Sequence, residues 1–308
     1  MMKIAVIGTG IAGNIAAYKL RQTHDITVFE AGAYIGGHTN TVDVEEAGRI
    51  LPIDTGFIVF NDRTYPNFNK VLDEIGQSWQ NSVMSFSVQS ERDGLEYNGA
   101  TINTLFCQRR NFLRPAFHRM VRDILRFNRE ALAALDSEPF LESVGTYLRR
   151  KDYSQEFLDW YLLPMAAAIW SAEPVAIKDM PLRFLVRFFD NHGLLQLKDR
   201  PVWRVIRGGS REYVKKLVAG HRDRIFLDTP VAKLHRDGDS VEVVTAAGDR
   251  QRFDAVFVAC HSDQALQMLV EPTRAEIDTL SAIEYQDNEA VLHTDATLMP
   301  RNKRAWAA

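Results

Sequence analysis

Three glycines open the chain at a chemically suggestive spacing: Gly8-Thr9-Gly10-Ile11-Ala12-Gly13 is G-x-G-x-x-G. In such a run the first glycine makes a tight turn and the second lets backbone approach a pyrophosphate. The third lets a helix pack closely on a strand. Glu30 follows 17 positions past Gly13, where a carboxylate can accept hydrogen bonds from an adenosine ribose. Its charge also opposes a 2′-phosphate, which argues against NADP. Five intervening residues then lead to a second glycine pair, Gly36-Gly37-His38-Thr39.

The elements needed to place these residues are all legible. Residues 3–7 read as a buried strand, 11–22 as a helix and 26–30 as a second strand, a βαβ unit of an open parallel sheet. A helix beginning there offers free N–H groups and its positive dipole end to phosphates. A glycine turn between packed elements, with Glu30 merely solvated, would not explain so many coincidences. A bound dinucleotide is the expectation.

Further along, 66–80 reads as a helix entered at Pro66. Residues 83–90 and 94–98 read as short strands joined at Arg92-Asp93-Gly94. Residues 111–135 form an amphipathic helix, with Leu113, Phe117, Met120, Val121, Ile124 and Leu135 on one face and Arg119, Arg122, Arg126 and Arg129 on the other. Helical segments continue to about 195, with breaks expected at Gly145, Pro164, Pro174 and Pro181. A helix over 210–219 leads to strands at 225–227, 231–236 and 241–246, with Asp237-Gly238-Asp239 as a hairpin turn. The apolar run Ala255–Cys260 reads as a strand buried on both faces.

This order of elements predicts an α/β fold. A Rossmann-like domain built on a parallel sheet (1–76 and 203–270) is interrupted by a mostly helical substrate domain with some antiparallel strands (77–202 and 271–308). Residues 283–295 read as strands of the latter.

Composition narrows the function classes. Of 308 residues 46% are apolar and 25% charged, with a net charge of −3, which gives no sign of nucleic-acid binding. Two distant cysteines, Cys107 and Cys260, suggest neither a disulfide framework nor a zinc site, so a reducing, cytoplasmic setting is expected. The best candidate for a membrane span, Tyr161 to Trp170, is too short and holds Pro164.

The run Glu30-x5-Gly36-Gly37 resembles the second fingerprint of the FAD-dependent amine-oxidase, phytoene-desaturase and protoporphyrinogen-oxidase superfamily. Ile53-Asp54-Thr55-Gly56-Phe57 resembles that family's Asp-x-Gly stretch beside the flavin ring. Ile206–Val214, with Gly208-Gly209, resembles the segment that returns the chain to the FAD domain. Pro230–Leu234 resembles the adenine-contacting segment, with Val231 as the contact, and Asp254–Ala259 the strand that closes the sheet.

The resemblance implies FAD as cofactor. Its binding set would be Gly8, Gly10, Ile11, Ala12, Gly13, Glu30, Ala31, Gly36, Gly37, His38, Thr55, Gly56 and Val231, with no metal. Where the family more often has arginine after the glycine pair, this chain has His38, a hydrogen-bonding clamp in place of a charged one. Relatives finish with a further strand and helix over the flavin. Their lack before Ala308 implies a C-terminally truncated chain.

Gly-Gly-His-Thr, Asp54–Asn61 and Ala166-Ala-Ala-Ile-Trp-Ser171 further resemble bacterial NAD/FAD-binding proteins associated with cyclopropane-fatty-acid-synthase-like enzymes. That implies an acyl-lipid substrate and an oxidoreductase that takes hydride from a C–H bond. An amine oxidase is the alternative enzyme, and a non-catalytic nucleotide-binding partner of a lipid methyltransferase the alternative of another class.

No triad or metal cluster marks the catalytic residues. Trp170 could line a pocket or fill the core, and His192, beside Gly193, could bond substrate or flavin. Cys260 reads as an inert thiol. The arginine face at 119–129 could meet acyl head groups or an anionic membrane surface, or simply be solvated.

Overall fold

In a computed structural model, which describes residues 1–137, 142–171 and 173–307, the chain divides into two compact units. The first comprises Met1–Phe60, Pro66–Gln80 and Arg204–Val291; the second comprises Asn61–Tyr65, Asn81–Trp203 and Leu292–Ala308.

The first unit is α/β. Four parallel strands stand in the order Ile225–Phe226, Asp25–Phe29, Lys3–Ile7, Ala255–Val258. Ala5, Val6 and Val28 are wholly buried, as expected for a strand pair covered on both faces. The helix Ile11–Leu20 connects the first two strands and packs against the helix Arg211–Val218. An antiparallel sheet of Val231–Asp237, Ser240–Thr245 and Arg250–Phe253 adds a second layer. Its Leu234, Val243 and Phe253 share a core with Ala5, Ile7 and Phe29.

Ala255–Val258 corrects the sequence reading. It is a terminal strand of its sheet, and Phe257 and Val258 are 47% and 38% exposed. The continuous apolar run does not mean burial on both faces here, because no strand flanks it on its outer side among the described residues. Residues 283–295 form no strand either. Asp287, Asn288 and Glu289 interrupt the apolar positions with residues of poor strand propensity.

A hairpin that the sequence did not announce, Thr41–Glu46 with Arg49–Asp54, turns at Ala47-Gly48. Both turn residues have positive φ, 50° and 73°. That favours the tight hairpin geometry matched to strand twist.

The second unit is mostly helical, with a hairpin of Ser87–Ser90 and Leu95–Asn98. Its longest helix, Pro115–Ser137, buries Phe117, Met120, Phe127 and Ala131. Leu113 lies in the preceding 3₁₀ turn and is 89% exposed rather than on the buried face, because Pro115 starts the α-helix after it.

Gly145 sits inside the helix Val144–Arg150 and does not break it. An added Cβ there would lie 3.2 Å from the Lys178 carbonyl, so its small size serves helix packing. Pro164 does not end its helix: a π turn, Leu158–Leu162, runs directly into the helix Leu163–Trp170. The wider turn carries the chain past a residue with no N–H to give.

Candidate cofactor site

The three fingerprint glycines differ in what they touch. Gly8 leaves the first strand at φ 98°, and its N–H donates to the Phe29 carbonyl at 2.8 Å. A Cβ on Gly8 would stand 2.6 Å from the Ala259 carbonyl oxygen, and one on Gly13 only 1.9 Å from the Gly8 carbonyl oxygen. Those two glycines are required by the packing of helix, strand and loop. Gly10 is not: a Cβ there would meet nothing within 4 Å. It caps the helix Ile11–Leu20 with no side-chain hydrogen bond, and Ile11 and Ala12 in that first turn are exposed. The free N–H groups of the helix therefore open onto unfilled space, the arrangement that binds phosphates.

The second fingerprint folds back onto this opening. A Cβ on Gly37 would lie 3.0 Å from Cα of Gly10, so the two glycine motifs meet backbone to backbone. Tyr34 supports the turn by donating its hydroxyl to the Gly37 carbonyl at 2.9 Å.

Glu30 holds the loops around the opening. Its Oε2 accepts the N–H of Thr9 at 2.8 Å and its Oε1 the N–H of Gly32 at 2.8 Å. Thr9 is fully buried. Its hydroxyl donates to Glu30 and accepts the Gly36 N–H at 3.3 Å. Sequence reasoning passed over Thr9 as a variable position of the motif, and the only signal available was a hydroxyl between two glycines. Asn14 was missed as well; its Nδ2 donates to the Thr9 carbonyl at 2.6 Å. Ala31 lies exposed beside Glu30. Thr229 donates its N–H to the Glu30 carbonyl at 2.8 Å, which brings the start of the Val231 strand to the same corner.

Thr55 and Gly56 join the site through the hairpin. The Thr55 N–H donates to the Asn40 carbonyl at 2.9 Å, and the Phe57 N–H to the His38 carbonyl at 3.0 Å. A Cβ on Gly56 would lie 2.1 Å from that His38 oxygen. Asp54 anchors the returning chain by accepting from Thr41 Oγ1 at 2.6 Å, Ser210 N at 2.9 Å and Ser210 Oγ at 2.7 Å. Thr39 and Tyr213 are hydrogen-bonded through their hydroxyls, and burial pushes the Tyr213 phenol up.

His38 stacks on His261 with ring centroids 5.8 Å apart, and His261 stacks on Tyr285 at 4.4 Å. Neither His261 nor Tyr285 was singled out from the sequence, since nothing local ties them to the glycine motifs. Cys260, before His261, is a free thiol pushed up by burial.

The two catalytic candidates lie in the second unit and are brought together by Phe188. Trp170 packs on Phe188 at 4.8 Å and on Phe184 at 5.7 Å. His192 stacks on Phe188 at 3.9 Å, and its Nδ1 lies 2.9 Å from the Phe188 carbonyl. Three of the arginines on the long helix have acidic partners: Arg119 pairs with Glu156, Arg122 with Asp123 and Arg126 with Glu130. Among the described residues no group of three acidic, histidine or cysteine side chains could hold a metal, and no helix is long and apolar enough to cross a membrane.

The family model for flavin-containing amine oxidoreductases matches residues 11–297. The chain belongs to that family. Its cofactor is FAD, and the residues present fit one, with a helix N-terminus open at Gly10 and an acid, Glu30, directly after the second strand. Solved structures show the same fold at low identity. Cyclohexylamine oxidase from Brevibacterium oxydans IH-35A is 19% identical with a TM-score of 0.69, over 91% of this chain and 63% of that one. Putrescine oxidase bound to putrescine is 17% identical with a TM-score of 0.66, over the same shares. A fatty acid isomerase from P. acnes that produces CLA is 14% identical with a TM-score of 0.60, again over 91% and 63%. The chain therefore spans somewhat under two thirds of the length of these structures. No curated protein matches it significantly.

Proposed function

We propose that this chain carries the FAD site of an oxidoreductase acting on a C–H bond of an apolar, acyl-lipid substrate. The observation that carries the reading is the meeting of Gly10 and Gly37 over an uncapped helix N-terminus. Bound FAD supplies a hydride acceptor at N5 of its ring. Gly8, Gly10, Ile11, Ala12 and Gly13 would hold the pyrophosphate, and Gly36, Gly37 and His38 would close over it. Glu30, beside Ala31, keeps further lone pairs for a ribose although Thr9 and Gly32 already donate to it. Val231 would back the adenine, and Thr55 with Gly56 would pass beside the ring.

For the substrate, the supporting feature is aromatic. Trp170, Phe184 and Phe188 present ring faces that suit a chain of methylenes. The isomerase among the structural neighbours acts, by its name, on a fatty acid. In our reading Trp170 is a pocket wall. His192, with Nδ1 donating to the Phe188 carbonyl, keeps Nε2 as an acceptor for a substrate proton.

An amine oxidase is the second reading. Cyclohexylamine and putrescine oxidases are among the neighbours, and the same ring faces would attract a cation. The arginine face supports a lipid surface poorly, since Arg119 and Arg126 already have carboxylate partners.

Anaerobic titration of the flavin-loaded protein decides between these readings. Bleaching of the flavin band by a fatty-acyl compound and not by primary amines is expected. Bleaching by amines alone would replace the first reading with the second. No bleaching by either class would favour a non-catalytic partner of a lipid-modifying methyltransferase.

A further inference from the structure

Two histidines far apart in sequence stand together beside the phosphate opening. His38 directly follows Gly37, where an added Cβ would lie 3.0 Å from Cα of Gly10. His261 comes two residues after Ala259, whose carbonyl lies against Gly8. The strand Lys3–Ile7 is flanked by Asp25–Phe29 on one side and Ala255–Val258 on the other. The carboxyl ends of Lys3–Ile7 and Ala255–Val258 thus form the crevice where open parallel sheets bind ligands. The imidazoles span that crevice, 5.8 Å apart and within 26° of parallel. Both are exposed, and among the described residues neither ring nitrogen has a hydrogen-bond partner.

Tyr285 fixes this arrangement from behind. It lies 7° from parallel with His261, and its hydroxyl accepts the N–H of Ser262 at 3.1 Å. The ring orientation of His261 is thereby set while its nitrogens stay free for a ligand.

We infer that His38 and His261 form a two-imidazole clamp on the diphosphate of the bound dinucleotide, with Tyr285 as its backing ring. This rests on the cofactor reading above. An imidazole carries at least one N–H in either protonation state, so each ring can donate to a phosphate oxygen. The uncapped helix N-terminus at Gly10 supplies the other donors.

The test compares FAD, ADP and adenosine by titration against the wild type, His38→Ala, His261→Ala and Tyr285→Phe. Each histidine variant should bind FAD and ADP about ten-fold more weakly, the scale of one hydrogen bond to a charged group, and adenosine unchanged. Tyr285→Phe keeps the stack and should lose less than either. His261→Asn, which keeps an N–H donor, should recover part of the loss. Wild-type affinity for ADP in His261→Ala would overturn the clamp, as would an equal loss of adenosine. A wild type that binds ADP with these responses but takes no FAD would overturn the cofactor reading and leave the clamp standing.

Discussion

The hydroxyl of Thr9 donates to Oε2 of Glu30 while accepting the N–H of Gly36 at 3.3 Å. One buried side chain thus joins the first glycine fingerprint, the acid at the end of the second strand and the second glycine fingerprint. Thr9→Val, nearly the same shape without the hydroxyl, should weaken flavin binding by about 1–2 kcal/mol, with Thr9→Ser close to wild type. Fluorescence titration of FAD checks both. Equal binding by the valine variant would mean that the two loops hold their positions without Thr9.

Gly10 and Gly13 should fail differently. Gly10→Val places its side chain in space that no protein atom occupies, so the variant should fold with wild-type Tm and lose flavin. Gly13→Ala drives a methyl into the Gly8 carbonyl at 1.9 Å and should cost about 3 kcal/mol of stability even without cofactor. Thermal unfolding and absorption spectra separate the two effects. A flavin-saturated Gly10→Val protein would refute the placement of the pyrophosphate.

His221 gives the first unit a defined pH response. It is fully buried with neither ring nitrogen hydrogen-bonded. Burial, with Arg21 and Arg224 nearby, holds its pKa at about 4 rather than 6.5. The unfolded chain therefore takes up a proton between those values while the folded chain does not. Stability from this residue is complete above pH 6.5 and declines as pH falls toward 4, by up to about 3 kcal/mol. Urea unfolding across pH 4–7 should show the slope in wild type and a shallower one in His221→Phe. Identical slopes would remove His221 as its source.

Glu96 pins a distant segment in the second unit. Its carboxylate, 8% exposed, accepts the N–H groups of Arg301 at 3.1 Å and Asn302 at 2.9 Å. Glu96→Ala should cost about 2–3 kcal/mol and make residues 296–306 the first site of limited proteolysis. Unchanged cleavage there would show that the segment is held mainly by Trp306 and Asn302.

How much of this was legible follows from how local each feature is. Gly8, Gly10, Gly13 and Glu30 were readable because one βαβ unit brings them together over a short stretch. Thr9 was invisible in its role, since its partners Glu30 and Gly36 meet it only after folding. The hairpin over Thr41–Asp54 hid behind weak alternation and Pro52, a residue that argues against a strand interior. Ala255–Val258 was correctly read as a strand but not as a terminal one, because an apolar run records composition and not neighbours. His261 belongs to the crevice through sheet topology, and Tyr285 through its stack on His261 and its bond from Ser262. Trp170 and His192 were chosen separately, and Phe188, which joins them, carried no signal beyond being one more aromatic in a helix.

The claim on which the rest depends is that this chain holds FAD between Gly10 and Gly37. The most direct measurement is the absorption spectrum of the purified protein, followed by mass spectrometry of whatever is released on denaturation. We predict flavin bands at near one equivalent per chain and release of intact FAD. A folded protein that shows no flavin band and takes up none when FAD is added would contradict the account.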